Sequence, residues 1–296
     1  MNKIAVIGIT GGWSSEEVAD ALEKKTGFRL LIEMDRVRYD SEHNTCFYEN
    51  TDLLDLDGII IKKIGPRYSP DHLQRLDLLR FLASRGLRFF SSPAAVKRCL
   101  DRLSCTLILR LGGIPMPPTV MTEDIDTAEA VIRHFGQAVF KPLFTSKARG
   151  MRILDKNDPS LKDSIRGFKS LGNSIMYIQK KIPIPGRDLG IAFLKGEYVG
   201  AYARVTKGDS WNTTTANGGT YQTVEPTTEI IDLARRSQAL FNLDFTCVDV
   251  VECDTGPLVF EVSALGGFRG LKEAQNINMA EMIVEHVIER LSHEKS

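Results

Sequence analysis

The apolar positions of this chain follow two periods, and their succession predicts most of its elements. "KIAVIGI" is a short continuous apolar run, the pattern of a buried strand, and a glycine-bearing turn follows it. "SSEEVADALEKKTG" has helical spacing, acids in its first turn and a glycine stop, with serine expected as its cap. "FRLLIEM" and "LDGIIIKKI" read as strands, "SPDHLQRLDLLRFLASRG" as a helix ended by Gly86, and "LRFFSS" as a short strand. This succession predicts an open α/β sheet. Pro93 opens a further helix, "AAVKRCLDRLSCTLILRLG", and "IPMPPT" is an extended connector. "AEAVIRHFG" is a helix, "AVFKPL" and "MRILD" are strands around the loop "TSKARG", and "IMYIQKKI" is a strand ending at the break "PIPGRD". "DLGIAFLKGEYVGAYARV" is a hairpin turning at Lys195-Gly196, "EIIDLARRSQALF" is a helix, and "NMAEMIVEHVIERLS" is a closing amphipathic helix. Three units follow: an α/β unit over 1–92, a small α+β unit over 93–181, and a larger antiparallel sheet with helices over 182–296.

Between the last two helices lies "CVDVVECDTGPLVFEVSA", a β-branched pair of runs around turn chemistry. A loop of Asp254-Thr255-Gly256 would set Cys253 opposite Pro257 and, counting outward, Asp249 opposite Glu261, with Ser263 on the same face. Two carboxylates facing each other at about 5 Å repel. They need a counter-charge or a shared proton, and a hard divalent cation is one answer. A one-residue register shift, putting the acids on opposite faces, is the other reading.

Charge and composition narrow the function. Lys+Arg and Asp+Glu both number 38 in 296 residues, so the chain is not expected to bind nucleic acid or other polyanions generally. No run of 18 or more apolar residues is present, hence no membrane partner is expected. The beginning of the chain lacks a signal-peptide pattern, and five cysteines without a C-x-x-C pair read as reduced thiols; a cytoplasmic location is expected. "GITGG" does not fit a dinucleotide fingerprint. Lys141 stands inside an apolar strand, and the next loop holds Ser146, Lys147, Arg149 and Gly150, a set suited to a triphosphate or, more simply, a snorkelling lysine beside a solvated turn. Gln179 and Lys180 end a strand, and Asp188 follows the break; they suit an adenine edge and ribose, or an exposed linker. Arg204 leads into a loop with Trp211, Asn212, Thr213 and Thr214, a natural cover for a site or a plain loop.

The order of Lys141, the small-residue loop, Gln179-Lys180, Asp188, Arg204, the Asn/Thr loop, Asp249 and "FEVSALGG" resembles the ATP-grasp superfamily, and within it the RimK-type amino-acid ligases. The resemblance implies a Rossmann-like N-terminal domain followed by two lobes that hold ATP between them. It implies Lys141, Arg102 and Ser146 to Gly150 (Lys147 included) on the phosphates, Gln179 to Ile182 along the adenine, Asp188 on ribose, Thr213 and Thr214 with the nucleotide, and Asp249, Glu261 and Ser263 on Mg²⁺, with Mn²⁺ as the alternative metal. Arg204, Asn212 and Arg269 would serve catalysis. The chain departs from the family pattern at Ser263 (usually Asn), Arg102 (usually Lys), Lys180 (usually acidic) and Asn212-Thr213-Thr214 (usually Arg-Ser-Asn). "SALGGFRG" stands for "NASPGLEG", so Arg269 replaces an acid and would restore a charge. The implied activity joins a carboxylate to an amine through an acyl phosphate, the substrates being small molecules or peptides, in a monomer or homo-oligomer. A kinase-like phosphotransferase and a nucleotide-binding regulator are the rival readings.

Overall fold

The computed structural model describes residues 2–206, 213 and 218–293. The chain opens with β1 (Ile4–Ile7), α1 (Trp13–Thr26) and β2 (Leu31–Ile32). The expected serine cap is not used. Gly12 occupies that position without a side-chain bond, while the Ser15 hydroxyl inside the first turn accepts from the Ile9 N–H and folds the glycine loop back. Gly27 ends the helix in the left-handed conformation. A meander that the apolar pattern left unread follows: β3 (Val37–Asp40), β4 (Thr45–Tyr48) and β5 (Thr51–Asp52) form a separate antiparallel sheet. Then come β6 (Gly58–Ile61), α2 (Asp71–Ser84) and β7 (Phe89–Phe90), completing a parallel sheet of order β2-β1-β6-β7.

The helix expected after Pro93 is two helices, α3 (Pro93–Leu100) and α4 (Arg102–Leu111). Asp101 splits them because its carboxylate caps α4, accepting from the Leu103 N–H and the Ser104 hydroxyl. The middle of the chain runs through β8 (Thr119–Thr122), α5 (Ile125–Phe135), β9 (Gln137–Lys141), β10 (Arg152–Asp155), α6 (Leu161–Ser170) and β11 (Met176–Lys180). Its antiparallel sheet has the order β10-β9-β11-β8. The last part holds β12 (Arg187–Leu194), β13 (Glu197–Val205), β14 (Thr220–Thr223), α7 (Thr228–Ala239), β15 (Phe245–Val251), β16 (Leu258–Ser263), α8 (Arg269–Gln275) and α9 (Met279–His293), around a five-stranded antiparallel sheet, β14-β13-β12-β15-β16.

Apolar burial groups these sheets unequally. Phe140, Phe168, Ile165 and Met176 belong to a cluster confined to the middle sheet and its helices. The first and last sheets instead share two clusters, one joining Ile59 and Leu76 to Val248 and Val262, the other joining Ile4 and Leu22 to Phe268 and Val284. The closing helix α9 does much of this joining, lying on α1 with Lys24–Glu281 and Lys25–Glu285 ion pairs at its edge. No helix among the described residues is long and apolar enough to cross a membrane.

Candidate active site

Strand alternation in the last sheet separates oil from charge. Leu189, Ile191, Ala203, Val248, Val250 and Val262 face a common apolar core. The opposite face follows from the register: Asp188 pairs with Arg204, Gly190 with Tyr202 and Asp249, and Asp249 with Glu261. Ser263 lies two residues on from Glu261 and opposite Cys247. Because directly opposed residues share a face, Asp188, Arg204, Asp249, Glu261 and Ser263 all stand on one side of β13, β12, β15 and β16.

The opposition of the two acids agrees with the turn count, but the tip of the hairpin does not. Val250 pairs with Val259 and Val251 with Leu258, so the ladder slips by one residue beyond Asp249 and the connection spans residues 252–257. This bulge leaves Phe260 as the extra residue, and its ring lies 5.2 Å from the Lys141 ammonium.

Arg204 is the hub of the polar face. Its Nε donates to both Asp188 oxygens at 3.0 and 3.2 Å, and Nη2 reaches Asp188 and, at 2.9 Å, Asp249. Burial works against its charge, yet Asp249 and Asp188 overcome it and hold the guanidinium firmly ionised. About a quarter of the Asp249 side chain reaches solvent. Withdrawal from water nevertheless dominates there, and with Asp188 and Glu261 adding negative charge it lifts the carboxyl to about 7 against the pull of Arg204. Glu261 is faced by the Arg102 guanidinium at 3.7 Å. Gly190 makes room at the centre: a Cβ there would meet the Tyr202 ring at 2.5 Å.

Above this face the middle sheet contributes its cations. Lys141 ends β9 and donates to the Gln179 side-chain oxygen at 2.5 Å, while the Gln179 amide donates to the Thr119 hydroxyl at 3.0 Å. Burial, with Arg102 nearby, lowers the Lys141 ammonium to about 7 although Glu261 counters. Arg102, first residue of α4, donates to the Pro142 and Thr145 carbonyls at 3.2 and 3.1 Å, tying α4 to the start of the small-residue loop. In that loop Lys147 and Ala148 adopt left-handed backbone, φ 58° and 56°, and Gly150 follows at 68°. The Arg149 guanidinium closes back on the Ser146 carbonyl and hydroxyl.

Other expected site residues are placed as follows. Lys180 is exposed and donates its backbone N–H to the Pro118 carbonyl, and Ile182 is half-buried on the segment leaving β11. Thr213 is buried, whereas Trp211, Asn212 and Thr214 lie outside the described residues. Arg269 begins α8; its guanidinium meets Glu273 at 3.1 Å and lies 5.4 Å from the Trp13 ring. Two lysines that the pattern had left as the tail of a strand, Lys62 and Lys63, donate to the Gly266 and Leu265 carbonyls just beyond Ser263. Their signal in the sequence is a charged doublet following a run of isoleucines.

The donors on the polar face are hard oxygens. Among the described residues no group of three or more His, Cys, Asp or Glu side chains gathers to cage a metal. Two opposed carboxylates with a serine hydroxyl fit Mg²⁺, which keeps much of its water and phosphate coordination. Two cations, Lys141 and Arg102, thus stand beside the opposed acids Asp249 and Glu261, and Arg102 ties in the start of the small-residue loop.

A family model for the RimK-like ATP-grasp domain matches residues 99–287. The chain belongs to the RimK-like ATP-grasp family. It is thus an ATP-dependent carboxylate–amine ligase. This RimK-like chain is 30% identical to the tetrahydromethanopterin:alpha-L-glutamate ligase of Methanocaldococcus jannaschii, over 82% of each protein. Its fold is shared with the RimK domain ATP-grasp protein of Sphaerobacter thermophilus at a TM-score of 0.75, with 19% identity over 96% of this chain and 98% of that one. The ATP-grasp ligase PsnB, in complex with a minimal precursor, Mg and ADP, superposes at 0.72 with 18% identity over 98% and 97%.

Proposed function

We propose that this ligase attaches L-glutamate, through its amine, to a carboxylate of a small molecule or peptide. The observation that carries the reading is the single polar face, on which Asp249 and Glu261 stand opposite each other beneath Lys141 and Arg102. The choice of glutamate rests on the likeness over most of its length to proteins named as alpha-L-glutamate ligases.

In this reading Lys141, Arg102 and the 146–150 loop bind the phosphates, and Gln179 to Ile182 line the base. Asp188 holds Arg204 over the reacting end. Mg²⁺, held by Asp249, Glu261 and Ser263, would neutralise charge on the terminal phosphates. The acid's oxygen attacks the γ-phosphorus in line, and ADP leaves. Lys141, Arg102 and Arg204 are fixed cations where negative charge spreads over the transferring group. The amine then attacks the acyl carbon, loses a proton and expels phosphate, so one amide, one ADP and one phosphate form per turnover. Arg269 is left out of this assignment, engaged as it is by Glu273 and Trp13.

The test is ADP release by the purified chain with Mg-ATP, screened over pairs of acids and amines. Release that requires both L-glutamate and an acid, with the amide found by mass spectrometry, is the expected result. Release requiring neither amine nor amide formation assigns a phosphotransferase instead.

A further inference from the structure

The loop between β6 and α2 carries an aromatic side chain that the proposed nucleotide site leaves unused. The loop leaves the parallel sheet at its carboxyl edge, where ligands of open α/β sheets bind. Two contacts fix it. The Arg75 guanidinium donates to the Ile64 carbonyl at 2.7 Å, and Nδ1 of the buried His72 accepts from the Ser69 N–H at 3.3 Å. Between them the Tyr68 ring stands edge-on to the His72 ring, with centroids 5.4 Å apart. Tyr68 is thus a half-buried side chain in a set position.

Tyr68 lines a cavity of about 10 Å³ together with Arg102, Thr145, Phe260 and Glu261. Of the residues in that wall it alone comes from the first 92. The four named companions belong to or border the proposed phosphate and metal site. Arg102 faces Glu261 at 3.7 Å and donates to the Thr145 carbonyl at 3.1 Å, and the Phe260 ring lies 5.2 Å from the Lys141 ammonium. Among the described residues the Tyr68 hydroxyl has no hydrogen-bond partner. Burial first, and Glu261 next, raise the phenol above its ordinary range, so it keeps its proton and stays a donor. A space of this size takes one oxygen-sized group rather than a whole substrate. An open donor in its wall, with a phosphate-directed cation and a metal-directed acid in the same wall, suits one oxygen of a phosphoryl group. The order of the site says which. The base is assigned to residues 179–182, at and beyond the end of β11, and the phosphates lead from there past Lys141 toward Glu261. A side chain arriving from the first unit meets the free end of that chain.

We propose that the Tyr68 hydroxyl donates to an oxygen of the terminal phosphoryl group of ATP and holds that group while it transfers. This rests on the ligase reading above. As the bond from phosphorus to ADP breaks and the bond to the acid's oxygen forms, negative charge spreads over the remaining phosphoryl oxygens, and a donor already fixed there needs no rearrangement to meet it. The test is calorimetric binding of ADP and of the non-hydrolysable ATP analogue AMPPNP, each with Mg²⁺, to wild type and to Tyr68→Phe. This variant keeps the ring against His72 and loses only the hydroxyl. AMPPNP, which has the terminal group, binds about tenfold to a hundredfold more weakly to Tyr68→Phe, the range for a lost hydrogen bond to a charged group. ADP, which lacks that group, binds within about twofold of wild type. Unchanged AMPPNP affinity overturns the proposal. So does equal weakening of both nucleotides, which a merely structural role produces, or a wild type that does not bind AMPPNP. If Tyr68→Phe separates the two nucleotides as expected but wild type releases no ADP with any acid and amine, the ligase reading fails while the contact stands. If wild type forms the amide and Tyr68→Phe binds AMPPNP normally, the contact fails while the ligase reading stands.

Discussion

Asp249 carries a burial cost that pH can expose. Its carboxyl is raised to about 7 in the folded chain, against about 3.9 when unfolded. The unfolded chain therefore loses this proton first, and stability falls as pH rises from about 4 to about 7. Asp249→Asn removes that loss. Its melting temperature should match or trail wild type near pH 4, gain relative to it through pH 7, and stay above it by about 1–2 kcal/mol in stability at pH 8; a gap independent of pH would refute the burial argument. Lys141 is the converse case, a lysine lowered to about 7 by burial. At pH 8 it is mostly neutral, and a phosphate beside it should restore its charge. ATP binding without metal should take up a proton, seen as a buffer-dependent heat in calorimetry. Lys141→Ala should abolish that uptake and weaken ATP about tenfold to a hundredfold. The facing of Asp249 and Glu261 was legible because turn residues between two β-branched runs count out a register. Lys62 and Lys63 were not, because their partners are backbone carbonyls about two hundred residues away, and carbonyls leave no trace in side-chain pattern.

Among the elements, legibility followed the strength of the period. Long apolar runs such as β1, β6, β12 and β15 stand out, whereas β3 to β5 mix charge and turn residues, α6 contains Gly167, and β8 and β14 are four-residue strands hidden beside proline and threonine. The division at Asp101 was missed because apolar spacing continues across it; only the side chain's bonds reveal the cap. Gly190 shows a different kind of silence. It interrupts nothing in the pattern of β12, yet Tyr202 occupies the space its side chain would need. Gly190→Ala should therefore destabilise by about 1–3 kcal/mol, as overpacking does, and should also reduce turnover, because the displaced ring borders Arg204 at 6.0 Å. Tyr202→Leu in the same background should recover part of the melting temperature; no recovery would show that the clash lies elsewhere.

At the scale of the whole molecule, apolar clusters bind the first and last sheets, and a partly buried ionic knot in the last part of the chain reaches the first through the Ser91 hydroxyl. Asp244 accepts from Arg290 at 2.5 Å and meets His286 at 2.8 Å, while its N–H donates to the Ser91 hydroxyl at the end of β7. Burial opposes its charge, but His286 and Arg290 prevail and hold the carboxyl below its usual range. A depressed carboxyl stabilises above the unfolded value of about 3.9 and loses that stabilisation as pH falls through the folded one. Asp244→Asn should cost about 3 kcal/mol at pH 7, by melting or urea titration, with the deficit shrinking toward pH 3. Among the described residues the middle sheet shares no such knot, and ten buried side chains of that sheet and its helices form a cluster of their own. Solvent deuterium reads that independence directly. Amides of β9 and β11 should exchange together, as one cooperative unit with its own opening free energy, ahead of those in β12 and β15, which open only when the rest of the molecule unfolds.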